Sequence, residues 1–204
     1  MLGLPASDLT EGQRARRDRI IDAALTLCRG RNVDQIQVKD VAESAGVALG
    51  TVYHYFSSKD HLFAEALVRW ASALRSNVTR HPLAGATPAE RLTDVLHRSV
   101  RAFQQQPNLA RLVSALTLSS DPFAVEMITR LDQSTSAVYA DALDGEDEAT
   151  VRAVVHVVEL VLDGLIRLWS AGRISIVDVY DQLDESVDLL FRAPGPAAGT
   201  GPTT

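Results

Sequence analysis

A chain of 204 residues, 46% of them hydrophobic, is long and apolar enough to bury a core, which excludes disorder over most of its length. Its net charge of −6 argues against a nonspecific nucleic-acid coat, and its single cysteine, Cys28, excludes an intrachain disulfide or a cysteine-built metal cluster. Residues 1–80 carry 11 Lys and Arg against 9 Asp and Glu, while the rest carries 9 against 17, so a weakly positive end sits on an acidic body.

Residues 1–12 read as a flexible arm with no long apolar run behind a positive start, so no secretory signal is read there. A first helix is expected over about 13–29, with Arg14, Arg16, Arg17 and Arg19 near its start. Cys28 falls among Ile20, Ile21, Ala24, Leu25 and Leu27 of that helix, where a buried apolar role is expected. Val38, Val41, Ala42 and Ala45 repeat at the spacing of one helical face, and Gly46 ends that helix. A short third helix is predicted from Val47 to about Tyr55, and Ser58 caps a fourth running from Lys59 to about Val78. A linker over 80–86 follows. Thr87-Pro88-Ala89-Glu90 then combines a cap, a first-turn proline and a glutamate three residues after the cap, opening a fifth helix that ends near Gln106. Further helices are expected over about 108–118, from Asp121-Pro122 to about Leu143, over 147–171 and over 176–192, before a Pro/Gly-rich disordered tail at 193–204. The expectation is an all-α fold of about nine helices: a three-helix head over 13–58 and a helical body over 59–192. The most apolar stretch, 151–169, is broken by Arg152, His156, Glu159, Asp163 and Arg167 and cannot span a membrane, so a soluble cytoplasmic protein without membrane contact is expected.

Helix, glycine-containing turn and helix over 38–55 is the arrangement whose second member can lie in a major groove of duplex DNA. That second member carries Thr51, Tyr53, His54 and Tyr55, with Lys59 just beyond, all able to donate to phosphate oxygens or reach base edges. Lys39 and Lys59 are the only lysines in the chain, and both fall in this region. Ala42, Gly46, Val47, Thr51, Val52, Tyr53, Tyr55, Phe56 and Lys59 together form a pattern that resembles the TetR family of one-component bacterial transcriptional regulators. Arg16–Cys28 and Ile36–Val41 resemble that family's first two helices, so the likeness covers roughly the first 70 residues. Ser57, where many members have proline, is a departure of small expected consequence. Gln37, where Thr or Ser is usual, implies a second helix that begins less firmly.

The resemblance implies roles for individual residues. Leu49, Gly50 and His54, beside Ala48, match positions that face base edges, while Thr51, Tyr53, Tyr55 and Lys59 match positions that hold phosphate. Lys39, Arg14, Arg16 and Arg17 are further phosphate or groove candidates, and one of the two tyrosines could instead pack its ring inward.

A single such head buries too little DNA to be selective, so a homodimer on a palindromic operator is expected. The last two helices offer the seam through Val161, Gly164, Leu165, Val179, Leu183, Val187, Leu190 and Phe191. In the family a cavity in the body binds a small-molecule effector, and candidate liners here are Phe103, Leu112, Leu116, Met127, Leu131, Tyr139, Val158, Leu162 and Trp169. The row Arg152, His156, Glu159, Asp163 and Arg167 is a solvated or salt-bridged face, or else meets a polar ligand group or closes the dimer seam. AGATPAERL and RAFQQQPNLARL resemble the subgroup that represses cholesterol and steroid catabolism genes, which implies a steroid or acyl-CoA derivative as effector. The five histidines show no metal-ligand spacing, and no phosphate loop, nucleophile elbow or paired-carboxylate pattern appears, so no metal, cofactor or catalytic residue is expected. The alternatives are a small helical enzyme and an interaction module without DNA binding.

Overall fold

A computed structural model describes residues 9–192; the expected arm over residues 1–8 and the tail over 193–204 lie outside them. The described residues form α1 (Glu11–Gly30), α2 (Val38–Ala45), α3 (Leu49–Tyr55), α4 (Lys59–Arg80), α5 (Pro88–Gln105), α6 (Pro107–Thr117), α7 (Pro122–Ala142), α8 (Glu148–Ser170) and α9 (Ile176–Phe191), with a 3-10 turn at Val33–Gln35. No strand occurs among them.

Local chemistry explains where these helices begin and end. Thr10 caps α1 by accepting from the Gln13 backbone, and Gln13 returns a bond to the Thr10 N–H, so the helix starts two residues earlier than expected. Leu9, within the segment read as arm, is buried. Thr87 and Glu90 make the same reciprocal box at α5, as Ser175 and Asp178 do at α9. Asp121 and Asp147 cap α7 and α8 through two backbone N–H groups each. At α2 the expected weak start is made good: the Asp40 carboxylate accepts from the Gln37 N–H at 3.0 Å. The third helix opens at Leu49 rather than Val47, because Val47 still belongs to the turn.

Two cores hold these helices. The first gathers Ile20, Ile36, Val41, Val52, Phe56, Leu62, Phe63 and Leu67 from α1–α4 together with Leu109, Leu112 and Leu116 of α6 and Ala124 of α7. The second joins Leu92, Val95, Leu96 and Val100 of α5 to Val154, Val158, Leu162 and Leu165 of α8 and to Val179, Leu183 and Val187 of α9. α6 thus belongs to the seat of the head: Arg111 donates to Asn32 Oδ1 at 2.7 Å, and Asn108 to the Arg29 carbonyl at 3.3 Å. α4 is bound to α1 by the same logic, with Arg69 donating to Asp18 at 2.5 Å and Asp22 at 2.8 Å. No described helix is long and apolar enough to cross a membrane.

Candidate DNA-binding surface and effector cavity

Gly46 ends α2 with φ 65° and ψ 40°, a left-handed backbone that a β-carbon disfavours. This turn brings α3 across α2. Val52, Tyr55 and Phe56, at 1%, 2% and 0% exposure, face inward and fix the roll of α3. What is left outside is Leu49 at 43% and Tyr53 at 46%, with Ala48, Gly50 and His54 exposed and Thr51 half-buried. A β-carbon on Gly50 would meet nothing within 4 Å, so no contact inside the chain requires glycine there, and the backbone lies open to a close approach. Lys39, in the first turn of α2, and Arg14 and Arg16 on α1 are exposed as well.

Three expectations need correction or revision. Tyr55 fills the core and is not presented for phosphate contact; the inward tyrosine is this one. Arg17 pairs with Glu65 of α4 and lies over the Phe56 ring at 5.2 Å, with its side chain 13% exposed, so it stitches α1 to α4 and does not reach outward. Lys59 donates to the Val33 carbonyl at 2.8 Å, which leaves two of its three ammonium donors for any phosphate.

Ser57 matters more than its substitution for proline suggested. Its backbone N–H, which proline lacks, donates to Nδ1 of His61 at 3.2 Å, and its hydroxyl stands 3.1 Å from the same nitrogen. His61 is buried and stacks on Phe123 of α7 at 4.7 Å and 11°, joining the head to the body. Burial pushes its pKa below 6.5, against the opposing pull of Glu65 and Asp121. The folded chain therefore binds fewer protons here than the unfolded chain. Stability should fall as pH drops through about 6.5 and level off below the folded value. Urea midpoints at pH 7.5 and 5.5 should drop less for His61→Gln than for the wild type; equal drops would place the acid sensitivity elsewhere.

In the body, α4, α5, α6, α7 and α8 line a cavity of about 370 Å³, within the usual range of small-molecule sites. Of the expected liners, Phe103, Leu131, Tyr139 and Leu162 do face it. Leu112 and Leu116 do not, because α6 turns them into the head-side core, and Met127 packs against that same core. Val158 and Trp169 belong to the second core. Trp70 and Leu74 of α4, with Ile128 and Val138 of α7, complete the apolar wall and were not foreseen as liners. The Tyr139 hydroxyl donates to Ser99 at 3.3 Å, and burial pushes its pKa up to about 12. His156, Glu159 and Asp163, from the polar row of α8, also line the cavity. The end members of that row make ion pairs instead, Arg152 with Glu148 and Arg167 with Asp163.

The expected seam is also redrawn. Leu165, Val179, Leu183 and Val187 are buried inside the chain, because α9 lays its apolar stripe against α5 and α8. Val161, Gly164, Leu190 and Phe191 are half-buried. The large apolar side chains these helices leave outside are Val157, Leu160, Leu168, Val177 and Leu189, at 38%, 61%, 37%, 60% and 64%. A β-carbon on Gly164 would meet nothing within 4 Å, so no described neighbour requires a glycine at this mid-helix position.

No cluster of three potential metal ligands occurs among the described residues. A helix-turn-helix head with an exposed second helix, seated on a helical body, defines a DNA-binding transcriptional regulator. Family models agree: residues 20–66 match "Bacterial regulatory proteins, tetR family", and residues 85–190 match "Tetracyclin repressor-like, C-terminal domain". The chain belongs to the TetR family. It is 34% identical over 183 residues to the HTH-type transcriptional repressor KstR of Mycolicibacterium smegmatis, covering 89% of this chain and 90% of the relative. The KstR repressor of Mycobacterium tuberculosis is 32% identical over 183 residues, covering 89% and 83%. Among solved structures, a TetR transcriptional regulator from Rhodococcus sp. RHA1 superposes with a TM-score of 0.71 at 28% identity, covering 89% of this chain and 97% of that one. These relatives are regulators, so the alternative of a small helical enzyme is set aside.

Proposed function

We propose that this chain is a repressor that binds a palindromic operator as a homodimer and is released by a small, mostly apolar effector held in the body cavity. The observation that carries the reading is the sorting of α3: core residues lock one face while Leu49, Gly50, Tyr53 and His54 stand outside together. In this reading Tyr53 and Thr51 hold phosphate, Lys39, Lys59, Arg14 and Arg16 add charge, and Leu49 and His54 meet base edges. The repressor sense draws on the KstR relatives. A steroid skeleton is the first effector class to test, supported by AGATPAERL and RAFQQQPNLARL and by the apolar cavity wall.

The test is titration of the chain with its own promoter duplex and point variants of it, at two salt concentrations. Tyr53→Phe should weaken binding about equally on every duplex, whereas Leu49→Ala and His54→Ala should change the ranking of duplexes. Lys39→Ala should lower the salt slope by about one. Binding of scrambled and promoter duplexes with equal affinity at both salt concentrations would sink the operator reading. A steroid panel that leaves the complex intact would remove the steroid assignment alone.

A further inference from the structure

Most polar groups of the cavity lining are engaged within their own helix or stand in solvent. Thr117 donates to the Val113 carbonyl, and Ser134 and Thr135 both donate to that of Leu131. Glu159 accepts from Ser136, Asp163 pairs with Arg167, and Arg75, Asp132 and His156 are exposed. Tyr139 differs: it carries the one hydroxyl of the lining that belongs to a fully buried residue, at 2% exposure. Ser99 gives its proton to the Val95 carbonyl at 3.1 Å, so in the pair with Tyr139 the phenol is the donor. That bond, at 3.3 Å, is longer than the roughly 2.5–3.0 Å of an ordinary hydroxyl bond. The phenol oxygen keeps its acceptor capacity, and no described residue donates to it. Ser99 reaches no further than its own hydroxyl, so this pair is where Ser99 meets the cavity. Val95 and Phe103 stand one turn to either side of it on α5, which makes Ser99 the only polar residue that α5 gives to the lining.

We propose that Tyr139 selects an alcohol: an apolar effector presents a hydroxyl whose O–H donates to the phenol oxygen, while the phenol keeps its own bond to Ser99. The inference rests on the cavity being the effector site and decides which polar group the effector brings to this wall. The order of protons favours a ligand that donates. A ketone or an ether can bond Tyr139 only by drawing its proton away from Ser99, one bond gained for one lost. An alcohol adds a bond and breaks none. With its pKa at about 12 the phenol stays neutral at pH 7, so it recognises by hydrogen bond and not by charge. An analogue without the hydroxyl shuts the buried oxygen in with no donor, and such a site rejects it.

The test is calorimetric titration of the full chain at pH 7 with two matched pairs. One is androstanol against androstanone; the other is decanol against its isomer methyl nonyl ether, which accepts but cannot donate. Each alcohol should bind about fivefold tighter than its partner, the gain of one added hydrogen bond. Tyr139→Phe, which keeps the ring in the core, should erase both preferences. Ser99→Ala releases the phenol proton and should bring androstanone up to the affinity of androstanol, a change that lost packing would not produce. If the alcohols gain nothing, or keep their advantage in Tyr139→Phe, the hydroxyl assignment fails and the effector cavity stands. Androstanone binding tighter than androstanol, or still lagging behind it in Ser99→Ala, would overturn the assignment as well. If neither pair binds at all, the effector reading fails and this inference with it.

Discussion

A chain carrying Val157→Glu and Leu168→Glu is expected to sediment as a monomer at micromolar concentration and to lose operator affinity by about a thousandfold. Val157, Val161, Gly164 and Leu168 recur along α8 at intervals of four, three and four, the seam spacing of paired helices. Among the described residues none covers this row fully, since Val157 and Leu168 remain more than a third exposed and Gly164 has open space above it. Two glutamates there would have to be desolvated unpaired on association, which disfavours the dimer strongly. Neither position belongs to a core, so circular dichroism should report unchanged helix. The lost affinity is that of the second head, which in a dimer binds at high effective concentration once the first is seated. A variant that stays dimeric would move the interface to another face, such as that of Val177 and Leu189. A monomer with undiminished operator affinity would overturn the two-headed reading itself.

Leu112→Ala should cost about 2–5 kcal/mol of stability and weaken operator binding, while leaving effector affinity where it was. Leu112 is fully buried and far in sequence from the recognition helix, but it shares a core with Ile20, Ile36 and Phe56 of the head. Truncating it leaves a void under the platform on which α1 and the Val33–Gln35 turn rest. Leu131→Ala provides the contrast. Leu131 faces the cavity and is only partly buried, so its truncation should change ligand affinity at a smaller cost in stability. Urea unfolding, operator titration and ligand titration on the two variants separate these outcomes. A Leu112→Ala chain with normal stability and altered ligand affinity would return that residue to the cavity.

Helix ends were legible because their signals are local. Thr87-Pro88-Glu90, Gly46, Ser58 and Asp121-Pro122 each act within a turn of themselves, and most predicted ends agree with the structure to one or two residues. The partner of each apolar face was not legible. The stripe Val179, Leu183, Val187 declares that it is buried, but periodicity cannot say whether a neighbour in the same chain or a second copy buries it. Cavity walls are harder still, because a cavity is a gap left by the arrangement of several helices and no residue encodes it. Leu112 and Leu131 look alike in sequence and differ only in which side of the body their helices turn to. Tyr55 could have been placed correctly from spacing alone: Val52, Tyr55 and Phe56 lie three and four residues apart on one face, two of them plainly apolar. The motif outweighed that geometry. The polar row of α8 was seen, with both of its readings left open; His156, Glu159 and Asp163 turn out to line the cavity.

α4 begins against the head, where His61 and Glu65 lock it to the surrounding residues, and further along the same helix Trp70 and Leu74 form part of the cavity wall. It is 22 residues long, hence a rod of about 33 Å. Such a rod has mechanical gain. A tilt of about 5° about its cavity end carries the other end through about 3 Å, close to the rise of one base pair, about 3.4 Å. A molecule that spreads the wall by less than the width of a methyl group can therefore put a recognition helix out of step with its groove, and no part of α3 need change shape.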